Sequence, residues 1–144
     1  MKNNLTIKDM KKEETILKGL NDAANKIHQN AKEKGFWDEE RETGTLLMLC
    51  VSELSEALEA DRKDKYCHAD EDLKEDLHDP DNTSPNYCID HFEIFVKDTF
   101  EDELADTVIR ILDMCGRKQI DLEWHINKKL AYNKTREKMH GKKY

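Results

Sequence analysis

An all-α fold, a single domain of four-helix-bundle type, is predicted by three features of this sequence. Its 144 residues include only two prolines and five glycines, few enough for long uninterrupted helices. Apolar residues recur at three- and four-residue spacing in separate runs. Two of those runs also carry an acid-x-x-acid pair beside the face they must bury. A chain of this length is expected to hide roughly two-thirds of its unfolded surface.

The elements follow in chain order. Residues 1–14 are polar and lysine-rich and read as an N-terminal arm or a short helix. A helix is expected from about Thr15 to Lys34, with Ile16, Leu17, Leu20, Ala23, Ala24, Ile27 and Ala31 on one side and Lys34-Gly35 as its stop. Phe36-Trp37-Asp38 make a short aromatic connection. The run Gly44–Lys63 is the next helix, with Thr43 as a capping hydroxyl and Leu46, Leu47, Cys50, Leu54 and Leu58 as its apolar series. Residues 64–96 then form an inserted acidic excursion, turn-rich over 64–91, where Asp79-Pro80-Asp81-Asn82 and Ser84-Pro85-Asn86 stand. A second acidic helix runs from Phe100 through Met114 and is expected to end near Gly116, its apolar series being Leu104, Val108, Ile111, Leu112 and Cys115. Asp121 caps a last helix reaching about Met139, with Leu122, Ile126, Leu130, Tyr132 and Trp124 turned inward.

Composition excludes several classes. A net charge of −8 argues against a general affinity for nucleic acid or an anionic membrane. No apolar stretch approaches the ~20 residues of a membrane span, and no signal-peptide pattern opens the chain, so a cytoplasmic location is expected. Cys50, Cys67, Cys88 and Cys115 form no Cys-x-x-Cys pair and read as free thiols.

The chemistry lies in Ser52-Glu53-Leu54-Ser55-Glu56 and in Glu103-Leu104-Ala105-Asp106. At about 100° per residue, Glu53 falls between Leu46 and Leu49 on the apolar side, with Glu56 at the stripe's edge. Glu103 sits on the margin of its own stripe with Asp106 three residues on. A buried carboxylate without a partner costs several kcal/mol, so Glu53 must be neutral, paired or bound to a cation. Residues three apart on a helix are neighbours, about 5–6 Å between Cβ atoms. If the two helices pack, four carboxylates converge and raise one another's pKa unless a cation intervenes, and all-oxygen ligation suits Mg²⁺, with Mn²⁺ the alternative. On repulsion alone, a neutral amide at Glu53 or Asp106 would stabilise the metal-free protein. The charge balance reverses at the other end of the chain. Between Lys128 and Lys143 stand seven lysines or arginines against one acid, Glu137, which is where an anionic ligand would be met, unless this is only a solvated basic tail.

Taken together, these segments resemble the MazG-like all-α nucleotide pyrophosphatases. The resemblance rests on Lys34-Gly35-Phe36-Trp37, Ser52-Glu53-Leu54-Ser55-Glu56-Ala57-Leu58-Glu59, Glu103-Leu104-Ala105-Asp106 and Lys129-x-x-Tyr132-Asn133-Lys134-x-Arg136, and covers roughly residues 15–63 and 97–143. It implies Mg²⁺ held by Glu53, Glu56, Glu103 and Asp106 as the catalytic metal ligands. It also implies cleavage of (d)NTPs between the α- and β-phosphates, giving a monophosphate and pyrophosphate. Two departures stand out: Ser52 occupies a position often held by a further Glu, and the connection between the acidic helices is longer than usual.

For such a reaction Lys129, Lys134 and Arg136 are the candidate phosphate cations, Arg offering bidentate geometry. Asn133 would hydrogen-bond a base or sugar, and Trp37 or Tyr132 would stack on one. No Ser-His or Cys-His nucleophile pair and no Gly-rich phosphate loop is present, which favours direct hydrolysis. The expected substrate is a nucleoside triphosphate, in a housecleaning role against non-standard or excess nucleotides. The expected assembly is a homodimer or homotetramer, because these helices carry more apolar surface than one small bundle hides. The rival expectation is a non-catalytic helical module that binds nucleotides or a partner protein on the same scaffold.

Overall fold

The computed structural model of the protein describes residues 18–78 and 85–136. The N-terminal arm of residues 1–14, the first turn expected from Thr15, and the stretch from Glu137 through Met139 to Lys143 lie outside them. The described residues are helical and contain no strand: α1 (Leu20–Glu33), α2 (Thr43–Arg62), α3 (Glu71–His78), α4 (Pro85–Phe95), α5 (Phe100–Lys118) and α6 (Leu122–Lys134). None is long and apolar enough to cross a membrane. The chain divides into two compact units, one of Met1–Phe36 with Leu112–Tyr144 and the other of Trp37–Ile111, the division falling within α5.

In the first unit, α1 starts at Leu20 rather than Thr15, because Gly19 has φ 84°, a left-handed value that interrupts a helix. The Leu20 amide donates to Glu123 Oε2 (2.9 Å), so an anion sits where the helix dipole favours one. The expected stop holds. Gly35 is left-handed (φ 79°), and the Phe36 and Gly35 amides return to the Ala31 and Lys32 carbonyls, the paired bonds of a Schellman end. Asp121 caps α6 as expected, accepting from the Trp124 amide at 3.0 Å. Its carboxyl is held below the ordinary range, first by the Asn21 side-chain hydrogen bond and then by that amide. Two residues of α6 depart from expectation: Trp124 and Tyr132 are each 52% exposed, and the small Ala131 is what α6 buries.

Gly116 does not end α5. It lies within the helix, where an added Cβ would stand 2.6 Å from the Ala24 carbonyl oxygen and 2.7 Å from His28 Cβ. Its role is to admit α1 to close contact. The helix ends two residues later, with Gln119 at φ 55° and the Ile120 amide returning to the Cys115 carbonyl.

In the second unit, α2 runs close to its expected bounds, but Thr43 is its first helical residue and the preceding Glu42 makes no side-chain cap bond. The expected turns at Asp79-Pro80-Asp81-Asn82 and Ser84 lie outside the described residues, and the described part of the excursion holds two helices. Asp70 accepts the Leu73 amide and starts α3, and Pro85 opens α4 at the one position where a missing N–H is harmless. Tyr87, His91 and Phe95, spaced four apart, stack along α4 with ring centroids 3.7 and 5.9 Å apart, and α3 packs on α4. This ladder at helical spacing is the sequence signal for α4. No disulfide joins the four cysteines, and Cys50 and Cys115 are buried.

Candidate metal centre

The site grows out of the buried face of α2, made of Leu46, Cys50, Glu53, Ala57 and Ala60. Cys50, Ala57 and Ala60 are small, which lets another backbone approach this face. It keeps Leu46 and Cys50 of the expected stripe, and Glu53 beside them, but not Leu47, Leu54 or Leu58. Leu47, Leu54 and Leu58 are 48–50% exposed, so the larger side chains lie about 100° round the helix and Glu53 occupies the buried face, only 5% exposed.

The start of α5 is tied to the exit of α2. Phe100 donates its amide to the Lys65 carbonyl (2.9 Å), the Cys67 amide donates to Glu101 Oε2 (2.8 Å), and the rings of Tyr66 and Phe100 meet at 5.4 Å. Thr99 caps α5, its hydroxyl accepting from the Asp102 amide, and Asp102 accepts from the Asp98 amide. The first turn holds Glu101, Asp102 and Glu103, acids where the helix dipole favours them.

This framework brings Glu53, Glu103 and Asp106 together, with one ligand atom from each within 4.8 Å of the others. Glu103 is 6% exposed and Asp106 partly open to solvent. Glu56, the fourth expected ligand, stands outside this group on an exposed turn and accepts a hydrogen bond from Ser52 Oγ (3.3 Å). It is close enough for its charge to act on Glu103. Burial is the first cause that pushes the Glu103 carboxyl up to about 7, followed by Glu56, Glu53, Asp102 and Asp106. Asp106 is also raised, by burial and then by Asp102 and Glu53, with Arg110 opposing.

The residue missed by the sequence reading is Arg110. Its Nε and Nη2 both donate to Oε1 of Glu53, so the buried acid has a cation within the chain. A signal was present, since Arg110 follows Asp106 by four residues and Glu103 by seven, which puts all three on one helix face. Among the described residues no lysine or arginine pairs with Glu103 or Asp106. Glu103 and Asp106 thus stand beside each other with no ion pair of their own, the nearby Arg110 guanidinium being taken up by Glu53. An oxygen-only donor set of this kind fits a hard divalent cation such as Mg²⁺ or Mn²⁺. No protein-family model, curated protein or solved structure matches this chain.

Lys129, Tyr132, Asn133, Lys134 and Arg136 belong to the first unit. Lys129 Nζ lies 5.4 Å and Arg136 Cζ 5.9 Å from the Tyr132 ring centre, so a base stacking on Tyr132 competes with both cations. Lys134 is exposed. Asn133 Oδ1 is buried with no hydrogen-bond partner among the described residues. Trp37, at the start of the second unit, is half-buried. A second pair the sequence did not announce lies in the first unit, where His28 Nδ1 meets Asp113 Oδ1 at 2.7 Å with both side chains mostly buried.

Proposed function

We propose that this chain is a Mg²⁺-dependent nucleoside triphosphate pyrophosphohydrolase of the MazG-like kind, cleaving (d)NTPs between the α- and β-phosphates, with Mn²⁺ able to replace Mg²⁺. The observation that carries the proposal is the convergence of Glu53, Glu103 and Asp106. They come from two motifs fifty residues apart, and their ligand atoms lie within 4.8 Å. The ion, when bound, neutralises charge developing on the phosphates. Glu53, Glu103 and Asp106 hold it, and Glu56, fixed by Ser52, adds negative potential and a carboxylate able to take a proton from an attacking water. Within the first unit, Lys129, Lys134 and Arg136 are the cations offered to an anionic ligand, with Tyr132 beside Lys129 and Arg136.

A homodimer or homotetramer is proposed as the working form. Leu47, Met48, Val51, Leu54 and Leu58 on α2, with Leu104, Val108 and Ile109 on α5, are 38–62% exposed. Together they leave on the order of 600 Å² of apolar surface, at the upper end of what a monomer carries and near the ~800 Å² per partner of a standard interface. A non-catalytic binding module is the second reading, favoured by the Glu53–Arg110 pair, which satisfies one site acid without any ion.

Incubation with a (d)NTP panel and Mg²⁺ separates the two. Release of pyrophosphate with at least one nucleotide is expected of the enzyme, and nucleotide binding without product is expected of the module.

A further inference from the structure

We propose that Arg110 is a built-in counter-cation of the acid cluster, one that lets the metal-free protein tolerate Glu53 and limits how tightly a divalent cation is held. This rests on the metal-site reading above.

Glu53 is 5% exposed, so its charge has lost most of its water. An ion that deep needs a partner with good geometry, or it neutralises or unfolds its surroundings. Arg110 supplies that partner with two nitrogens on one oxygen, Oε1, and Oε2 makes no bond to it. Arginine does not deprotonate in proteins, so this positive charge is permanent. Its side chain is 38% exposed while that of Glu53 is 7% exposed, which gives the guanidinium room to shift and the carboxylate little.

The charge count follows. Glu53, Glu103 and Asp106, when ionised, carry three negative charges, and Arg110 returns one, leaving two. One divalent cation balances that within the cluster, the neighbouring Glu56 and Asp102 adding to the negative field around it. Without Arg110 the same cluster would hold three uncompensated charges and draw the ion more strongly. A guanidinium and a metal ion on one carboxylate also oppose each other. By linkage, whatever Arg110 takes from the ion's affinity, the ion takes from the Glu53–Arg110 pair. Couplings of this kind typically amount to about 5- to 150-fold.

A merely structural Arg110 would show a different pattern. Its loss would lower stability equally with and without the ion and would leave the ion's affinity alone. A counter-cation gives effects of opposite sign.

The test is titration of Mn²⁺ into the full chain by calorimetry at fixed ionic strength, beside thermal melts in EDTA and in saturating Mn²⁺. It compares wild type, Arg110→Met and Arg110→Lys. Wild type is expected to bind one ion per chain in the cluster. Arg110→Met is expected to melt lower in EDTA, to bind Mn²⁺ about fivefold or more tightly, and to recover part of the lost melting temperature when the ion is added. Arg110→Lys, which keeps the charge, is expected to bind within about threefold of wild type. Should Arg110→Met not fold, Arg110→Gln takes its place. Mn²⁺ binding that is unchanged or weaker once the charge is removed overturns the proposal alone. No Mn²⁺ binding by wild type overturns the metal-site reading as well.

Discussion

Arg110 and Glu53 form a charge pair in which two guanidinium nitrogens, Nε and Nη2, end on the same carboxylate oxygen. The pair splits acids that look equivalent in the sequence. Repulsion alone predicts that an amide at either Glu53 or Asp106 stabilises the metal-free protein. With Arg110 in place the sign reverses at Glu53, because Glu53→Gln leaves a partly buried guanidinium against a neutral group. Glu53→Gln should therefore lose about 1–3 kcal/mol in EDTA, while Asp106→Asn should be neutral or slightly stabilising. Urea unfolding of the two variants measures this, and equal shifts would contradict it.

The Glu103 carboxyl gives a pH dependence. Its folded value of about 7 stands above the ordinary 4.5, so the folded chain binds this proton more tightly than the unfolded chain. Stability of the metal-free protein should fall as pH rises from about 4.5 to about 7, by on the order of 3 kcal/mol, and level off above. Asp106, also raised, adds in the same direction. Melts between pH 5 and 8 in EDTA should show this slope in wild type and a flatter one in Glu103→Gln. A divalent cation, which replaces the proton, should reverse it.

Much of this was legible in the sequence, for reasons that also explain what was not. Capping by Asp121, the Lys34-Gly35 stop and the two acid pairs are local, set by residues within a turn of one another. Which stripe of α2 is buried is not local. The sequence offers two, and the large leucines outweigh Cys50, Ala57 and Ala60 in any count of hydrophobicity, yet the smaller residues form the buried face. Gly116 looked like a helix end and is a packing contact, a distinction that depends on Ala24 and His28, some ninety residues away. Arg110 could have been found by extending the acidic face of α5 one more turn.

Gly116 yields a simple stability test. Alanine there improves helix propensity by up to about 1 kcal/mol, but its methyl would meet the Ala24 carbonyl at 2.6 Å. The clash with backbone should win, for a net loss of roughly 1–3 kcal/mol. A Gly116→Ala variant melting at or above wild type would show that α1 yields easily.

The exposed stripe on α2 predicts assembly. Light scattering after size exclusion should give a species well above the 16.9 kDa chain at micromolar concentration. Leu54→Lys, at a position 48% exposed in the single chain, should shift it toward the monomer without unfolding it. A monomeric wild type would remove the proposed homo-oligomer.

For the basic segment that ends α6 and follows it, Arg136→Ala should raise KM or lower kcat by one to two orders of magnitude, about 1.4–2.8 kcal/mol of transition-state stabilisation. Its melting temperature without ligand should hardly change, since the residue is exposed. Unaltered kinetics would make this end solvated surface.

Phosphorus NMR of a (d)NTP reaction mixture tests the central claim most directly, because it reports which phosphate bond breaks. With Mg²⁺ and wild type, paired resonances of nucleoside monophosphate and pyrophosphate should grow together, vanish in EDTA, and be absent with Asp106→Asn. Orthophosphate and diphosphate as the products, or the same pyrophosphate signal from Asp106→Asn, would contradict a Mg²⁺-dependent α–β cleavage centred on Glu53, Glu103 and Asp106.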